Sequence, residues 1–213
     1  MLLIFDWDGT LSDSTARITL AMQLAAESVG LGFLAAERVH NIIGLGLPEA
    51  LVQLYPEVDD PMRLRLRDAY RHHFSLLDQQ PSALFPGVMD TLVQLGKQGH
   101  RLAIATGKSR QGLDRILAGL GVADLFEASR CADETASKPH PLMLEQLLAS
   151  FGLSASDAVM VGDTEYDMDM ARRIQMPRIA VSYGAHHIDR LKPYNPALCM
   201  DEFVELLNWD KLS

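Results

Sequence analysis

Apolar positions along this chain follow two rhythms. Met1-Leu2-Leu3-Ile4-Phe5 is a continuous apolar run, which predicts a buried strand. From about Ser14 to Leu77 the spacing becomes helical. Thr15 to Val29 carries Ile18, Met22, Ala25, Ala26 and Val29 on one helix face, and Gly30 and Gly32 stop it. Shorter helices are predicted over Ala36–Ile43 and Pro48–Tyr55, where Pro48 suits a first turn, and a longer one over Pro61–Leu77. No strand pattern interrupts this block.

From Pro86 onward helices and strands alternate. Helices are predicted over Gly87–Gln98, Arg110–Leu120, Pro141–Phe151, Asp167–Ile174 and Glu202–Leu207. Strands are predicted over Arg101–Ala105, Leu125–Ser129, Ala158–Val161, Arg178–Val181 and, as an edge, Ala197–Met200. Units of this length imply a parallel sheet covered on both faces. The expected fold is therefore α/β. Residues 1–13 and 82–213 would form a Rossmann-like parallel-sheet core, and residues 14–81 an inserted small all-helical cap. The linkers would lie near Asp13 and Gln79 to Ala83.

Ligands of such sheets bind beyond the carboxyl ends of the strands. There the first strand runs into Asp6-Trp7-Asp8-Gly9-Thr10. Two like charges this close are costly unless a cation lies between them, so the pair points to a magnesium site. Thr106 follows the second predicted strand, and Gly107, Lys108 and Ser109 lead into a helix. A hydroxyl and free N–H groups at a helix start suit a phosphate, although alone the segment reads as an ordinary N-cap with a solvated lysine. Lys108 sits where the helix dipole disfavours a cation, and a neighbouring anion would explain that. Lys138, before Pro139, reads alone as a surface lysine and in company as a partner for a carboxylate and a phosphate. Asp163 ends another strand. Asp167, four residues on, fits either an acidic first turn or the same metal site.

Charge and cysteine usage narrow the partners. The 213 residues carry 28 acidic and 19 basic side chains, a formal charge of −9 that argues against nucleic acid. No apolar run approaches the roughly 18 residues of a membrane span, and the N-terminus lacks the pattern of a signal peptide. Cys131 and Cys199, far apart in sequence, read as reduced, partly buried thiols of a cytoplasmic protein. No Cys or His spacing suggests zinc.

Taken in order, Asp6, Asp8, Thr106, Lys138, Asp163 and Asp167 resemble the four motifs of the haloacid dehalogenase-like superfamily, and most closely its phosphoglycolate phosphatase subgroup. Asp6-Trp7-Asp8-Gly9-Thr10 matches the first motif and Thr106 the second. Lys138-Pro139 matches the third, and Gly162-Asp163 with Asp167 the fourth. The resemblance implies a magnesium-dependent phosphatase of small phosphomonoesters. Asp6 would be the nucleophile and Asp8 the general acid and base. Magnesium would be held by Asp6, the Asp8 carbonyl and Asp163, with Asp167 in support. Thr106, Gly107 and Lys138 would hold the phosphoryl oxygens. A phosphomutase, a pyrophosphatase or nucleotidase, and an inactive phosphate-binding protein remain open alternatives, as do monomer and homodimer.

In the cap, the glycine-spaced segment Asn41 to Leu47 resembles one that family members place near substrate, with Asn41 as the contact residue. The run Arg63, Arg65, Arg67, Arg71, His72 and His73 reads first as a solvated face, with contact to a substrate carboxylate or second phosphate as the alternative. Trp7, Met168 and Met170 are expected to pack, and His186 and His187 to lie on the surface.

Overall fold

The computed structural model describes residues 1–212. Six strands form one parallel sheet: β1 (Leu2–Phe5), β2 (Arg101–Thr106), β3 (Ala128–Cys131), β4 (Ala158–Gly162), β5 (Arg178–Val181) and β6 (Leu198–Met200), in the order β3-β2-β1-β4-β5-β6. The first strand made is thus central. Phe5 is in register with Ile104 on one side and Val161 on the other, so β1, β2 and β4 end side by side. Strand order reverses between β1 and β4, where a crevice opens in such sheets.

Period-two alternation explains why so many strand residues are apolar. Leu3, Phe5, Leu102, Ile104, Val159 and Val161 point to one face, against α5 (Val88–Lys97), α6 (Arg110–Leu120), Phe203 and Trp209. Leu2, Ile4, Ala103, Ala105, Ala158 and Met160 point to the other, against α7 (Leu142–Phe151) and α8 (Glu165–Arg173). Both faces are buried, as a parallel sheet requires. A short α9 (Ile188–Leu191) follows β5.

Between β1 and β2 lie α1 (Thr15–Ser28), α2 (Ala36–His40), α3 (Leu47–Leu54) and α4 (Asp60–Leu77). They close around a core of their own, which includes Met22, Ala26, Val39, Leu51 and Leu66. Asp59 caps α4 by accepting from the Met62 N–H. The two segments joining this block to the sheet pair with each other. Asp13 N–H donates to Ala83 O and Phe85 N–H to Leu11 O, each at 2.9 Å, around an antiparallel Ser12–Leu84 bridge. Beside them the buried Asp78 carboxylate takes Arg17 of α1 and Arg115 of α6.

Several expected boundaries move. β3 begins at Ala128 rather than Leu125, because residues 123–125 make a 3-10 turn. α2 ends at His40, and Asn41 to Gly44 form turns instead. α8 begins two residues early because Thr164 and Asp167 form a capping box. The closing helix is 3-10, over Phe203–Asn208. Trp7, Met168 and Met170 are buried, as expected. Cys131 is buried but Cys199 is exposed. His186 is not on the surface. Its ring is buried, its Nδ1 accepts from the Glu165 N–H at 3.1 Å, and burial pushes its pKa below the ordinary histidine value.

Candidate active site

Three buried carboxylates meet above the switch point. Asp6 is the first residue past β1, and its N–H still continues the sheet by donating to Val161 O at 3.0 Å. Asp163 is the first residue past β4. Asp167 lies one turn into α8 on the face turned toward the sheet, four residues on, as helical spacing allows. One oxygen from each lies within 4.8 Å of the others.

Each carboxylate is aimed by its neighbours. Asp163 accepts from the Thr10 hydroxyl and from the Ala185 N–H, both at 2.7 Å. A Cβ at Gly9 or at Gly184 would collide with this carboxylate, and Gly9 also has φ of +80°, so both approaches require glycine. Asp167 Oδ2 accepts from the Thr164 N–H at 3.1 Å and from its hydroxyl at 2.7 Å. That leaves Asp167 Oδ1 facing the ammonium of Lys138 at 2.7 Å. The same ammonium lies 2.8 Å from Asp6 Oδ1, which also accepts from the Trp7 N–H at 2.7 Å.

Lys138 is therefore no surface lysine; its side chain is fully buried. Burial alone would drive off its proton, but Asp167 and Asp6 outweigh that and hold its pKa above the ordinary lysine value. At Asp6 and Asp163 burial wins over the ammonium. Burial raises the Asp6 pKa well above the usual range, and the Asp167 and Asp163 charges add to the rise, against Lys138. Burial, then Asp167, lifts Asp163 to about 7.

One ammonium faces three buried carboxylates, an imbalance that favours a further cation. Asp6 Oδ2 is buried and has no hydrogen-bond partner among the described residues. An all-oxygen donor set with an unfilled oxygen suits a hard divalent ion. These residues fit a site for such an ion.

Asp8 stands apart from this cluster. Its Oδ1 accepts from the Ser14 hydroxyl at 2.5 Å and lies 2.9 Å from Lys108 Nζ. Asp8 is thus the anion that the placement of Lys108 called for. Thr106 is fully buried at the end of β2, where its Oγ1 accepts from the Lys108 N–H at 3.2 Å. Gly107 lies under the helical block, and a Cβ there would come 2.5 Å from Leu45 O and 2.7 Å from Gly44 O. The Gly46 N–H donates to the Ser137 hydroxyl at 2.8 Å, so residues 44–46 rest on the loops after β2 and β3.

Asn41 does not join the carboxylates. Its Oδ1 accepts from Arg190 at 2.8 Å and its carbonyl from the Tyr166 hydroxyl at 2.6 Å, which makes it a tie between the helical block and the sheet domain. The basic run of α4 is the solvated face expected. Arg63 and Arg67 pair with Asp60 and Asp68, and Arg65, Arg71 and His72 are exposed. Thr10, Ser14, Gly184 and Thr164 complete the site. Thr10 lay inside the first motif, whereas nothing near Gly184 marked it.

The sequence model described as haloacid dehalogenase-like hydrolase matches residues 3–181. The probable phosphatase IndB of Dickeya dadantii is 35% identical over 97% of this chain and 91% of its own length. The phosphoglycolate phosphatase of Aliivibrio fischeri is 33% identical over 97% and 94%. Among solved structures, a predicted phosphoglycolate phosphatase from Haemophilus somnus superposes with a TM-score of 0.88 at 25% identity, covering 97% of this chain and 96% of that one.

Proposed function

The chain belongs to the haloacid dehalogenase-like hydrolase family, as a hydrolase of phosphoric monoesters, and from that premise we propose a magnesium-dependent phosphatase that works through an aspartyl-phosphate on Asp6. The observation that carries this reading is the buried Asp6, Asp163 and Asp167 cluster with its single ammonium, Lys138.

In the first half-reaction a carboxylate oxygen of Asp6 bonds to phosphorus while the bond from phosphorus to the ester oxygen breaks. Asp8 gives its proton to that oxygen. In the second, Asp8 takes a proton from a water that attacks the same phosphorus. The Asp6–phosphorus bond breaks, and inorganic phosphate and the free carboxylate return. Lys138, the Thr106 hydroxyl and the Gly107 N–H hold the equatorial oxygens, where charge is spread in the transition state. Asp6, the Asp8 carbonyl and Asp163 would hold magnesium, with Asp167 beside them. The ion supplies the positive charge that lets a carboxylate approach a phosphate.

Residues 14–81 act as a cap on the core of residues 1–13 and 82–213. The resting of residues 44–46 against Gly107 and Ser137 supports a closed arrangement that keeps bulk water from the phosphoenzyme. Relatives named phosphoglycolate phosphatase make a small carboxylate-bearing ester the first substrate to try. We read the setting as the cytoplasm: among the described residues no helix is long and apolar enough to cross a membrane, and both thiols are free.

The test is phosphate release from a panel of monoesters with and without magnesium. Asp6→Asn is expected to abolish release while the protein stays folded by circular dichroism. Turnover that survives in that variant refutes the nucleophile.

A further inference from the structure

Resting on the reading of Asp8 as the residue that meets the leaving oxygen, we propose that Lys108 is a specificity-determining residue. It receives a carboxylate carried by the leaving group, so the enzyme prefers phosphomonoesters whose alcohol bears that charge next to the ester oxygen.

Position comes first. Lys108 Nζ lies 2.9 Å from Asp8 Oδ1, and both side chains are 11% exposed. A general acid works within about 3 Å of the oxygen it protonates, so that oxygen falls within about 6 Å of the ammonium. A carboxylate on the adjoining carbon lies inside this span. The backbone that carries Lys108 is fixed. Its backbone N–H is held by Thr106 Oγ1, and Gly107 before it is covered by the carbonyls of Gly44 and Leu45. On the cap side its ammonium stands 5.3 Å from the centre of the Phe74 ring.

Charge comes second. Neighbouring cations are committed elsewhere. Lys138 lies between Asp6 and Asp167, and Arg17 and Arg115 both engage Asp78. Lys108 has Asp8 alone as its carboxylate partner among the described residues, and Asp8 also accepts from Ser14. It is therefore the cation that stands beside Asp8, where the leaving oxygen is placed by the proposed reaction. It also sits before the start of α6, where the helix dipole disfavours positive charge and a second anion is welcome. A neutral alcohol offers nothing to this ammonium, and a cationic one is repelled by it.

The experiment compares kcat/KM for phosphoglycolate, ethyl phosphate and phosphoethanolamine, whose leaving groups are of similar size and carry negative, neutral and positive charge. Wild-type protein is expected to rank them in that order. In Lys108→Met the ratio of phosphoglycolate to ethyl phosphate should fall about 10- to 100-fold, the worth of one hydrogen bond to a charged group. Lys108→Arg should keep most of the ratio, and Lys108→Glu should shift preference toward phosphoethanolamine. If Lys108→Met fails to fold, Lys108→Gln gives the same comparison, and glycolate should inhibit the wild type where ethanol does not. Equal losses on both esters would overturn the proposal, because Lys108 would then only hold Asp8 in place. No preference for the anionic ester in the wild type would overturn it too. Release from none of the three with magnesium would instead bring down the phosphatase reading, and this inference with it.

Discussion

Removing divalent metal should make the stability of this protein fall as pH rises, with Asp163 as one source. Its carboxyl is fully buried, and its pKa stands at about 7 in the folded chain against 3.8 in a free side chain. Below pH 3.8 both states hold the proton and the group is neutral to stability. Between the two values the folded state keeps a proton that the unfolded state has lost, so each pH unit removes about 1.4 kcal/mol. From pH 5 to pH 7 that is about 2 kcal/mol, because the slope halves at the folded pKa, and the loss levels off near about 3 kcal/mol by pH 8. Asp6 is shifted in the same direction and adds to the slope. The assay is urea unfolding in excess chelator at pH 5, 6, 7 and 8 for wild type and Asp163→Asn. Titrations remote from Asp163 cancel in the comparison, and the part of the Asp6 shift that the Asp163 charge causes adds to the difference. Thr10 and Ala185 both donate to Asp163, so an amide there costs a fixed amount at every pH. The difference between the two proteins should therefore shift toward the variant by about 3 kcal/mol across the window. A difference that stays constant from pH 5 to pH 8 refutes the reasoning. Magnesium binds the deprotonated form, so the stabilisation it gives at a fixed concentration should grow with pH.

Other expectations follow from the same geometry. Lys138→Met leaves three buried carboxylates without their ammonium and should cost about 3–5 kcal/mol in metal-free urea unfolding. Added magnesium should restore part of that, and phosphate release should fall by at least about 100-fold even when metal is saturating. Gly107→Ala drives a methyl into the Gly44 and Leu45 carbonyls. Overpacking of that kind costs about 1–3 kcal/mol, and it should appear as lower turnover and faster proteolytic nicking near residues 44–46.

Much of the site could be read in the sequence because each of its parts stands where an apolar run stops. The Leu2 to Phe5 run leads into Asp6, and Ala158 to Val161 leads into Gly162 and Asp163, so the same apolar runs that mark the strands also mark where the carboxylates stand. β3 slipped by three residues because it is an edge strand. Three of its four residues are half-exposed and carry no strong alternation, and the apolar Leu125 and Phe126 upstream drew the boundary toward them. For Lys108 the sequence asks for a neighbouring anion without naming Asp8. The two residues are a hundred positions apart and meet because β1 and β2 are neighbours. His186 misled because the groups around its buried ring, the Tyr166 ring at 5.4 Å and the Glu165 N–H at 3.1 Å, lie some twenty residues away, and no local pattern announces them. Asn41 also has partners that no local pattern announces: its segment approaches the core, where its Oδ1 and carbonyl accept from Arg190 and Tyr166.

The paired strips at Asp13–Ala83 and Leu11–Phe85 carry a consequence for how such a protein changes over time. The chain leaves the sheet and returns to it at the same point, so the sheet meets the intervening helices as it would meet a long hairpin loop. Closure entropy grows only slowly with loop length, so a larger, smaller or differently folded insert would disturb the strands little. The carboxylates could keep their positions while the module above them is exchanged wholesale. New appetites would then arise by grafting rather than by rebuilding the reactive centre.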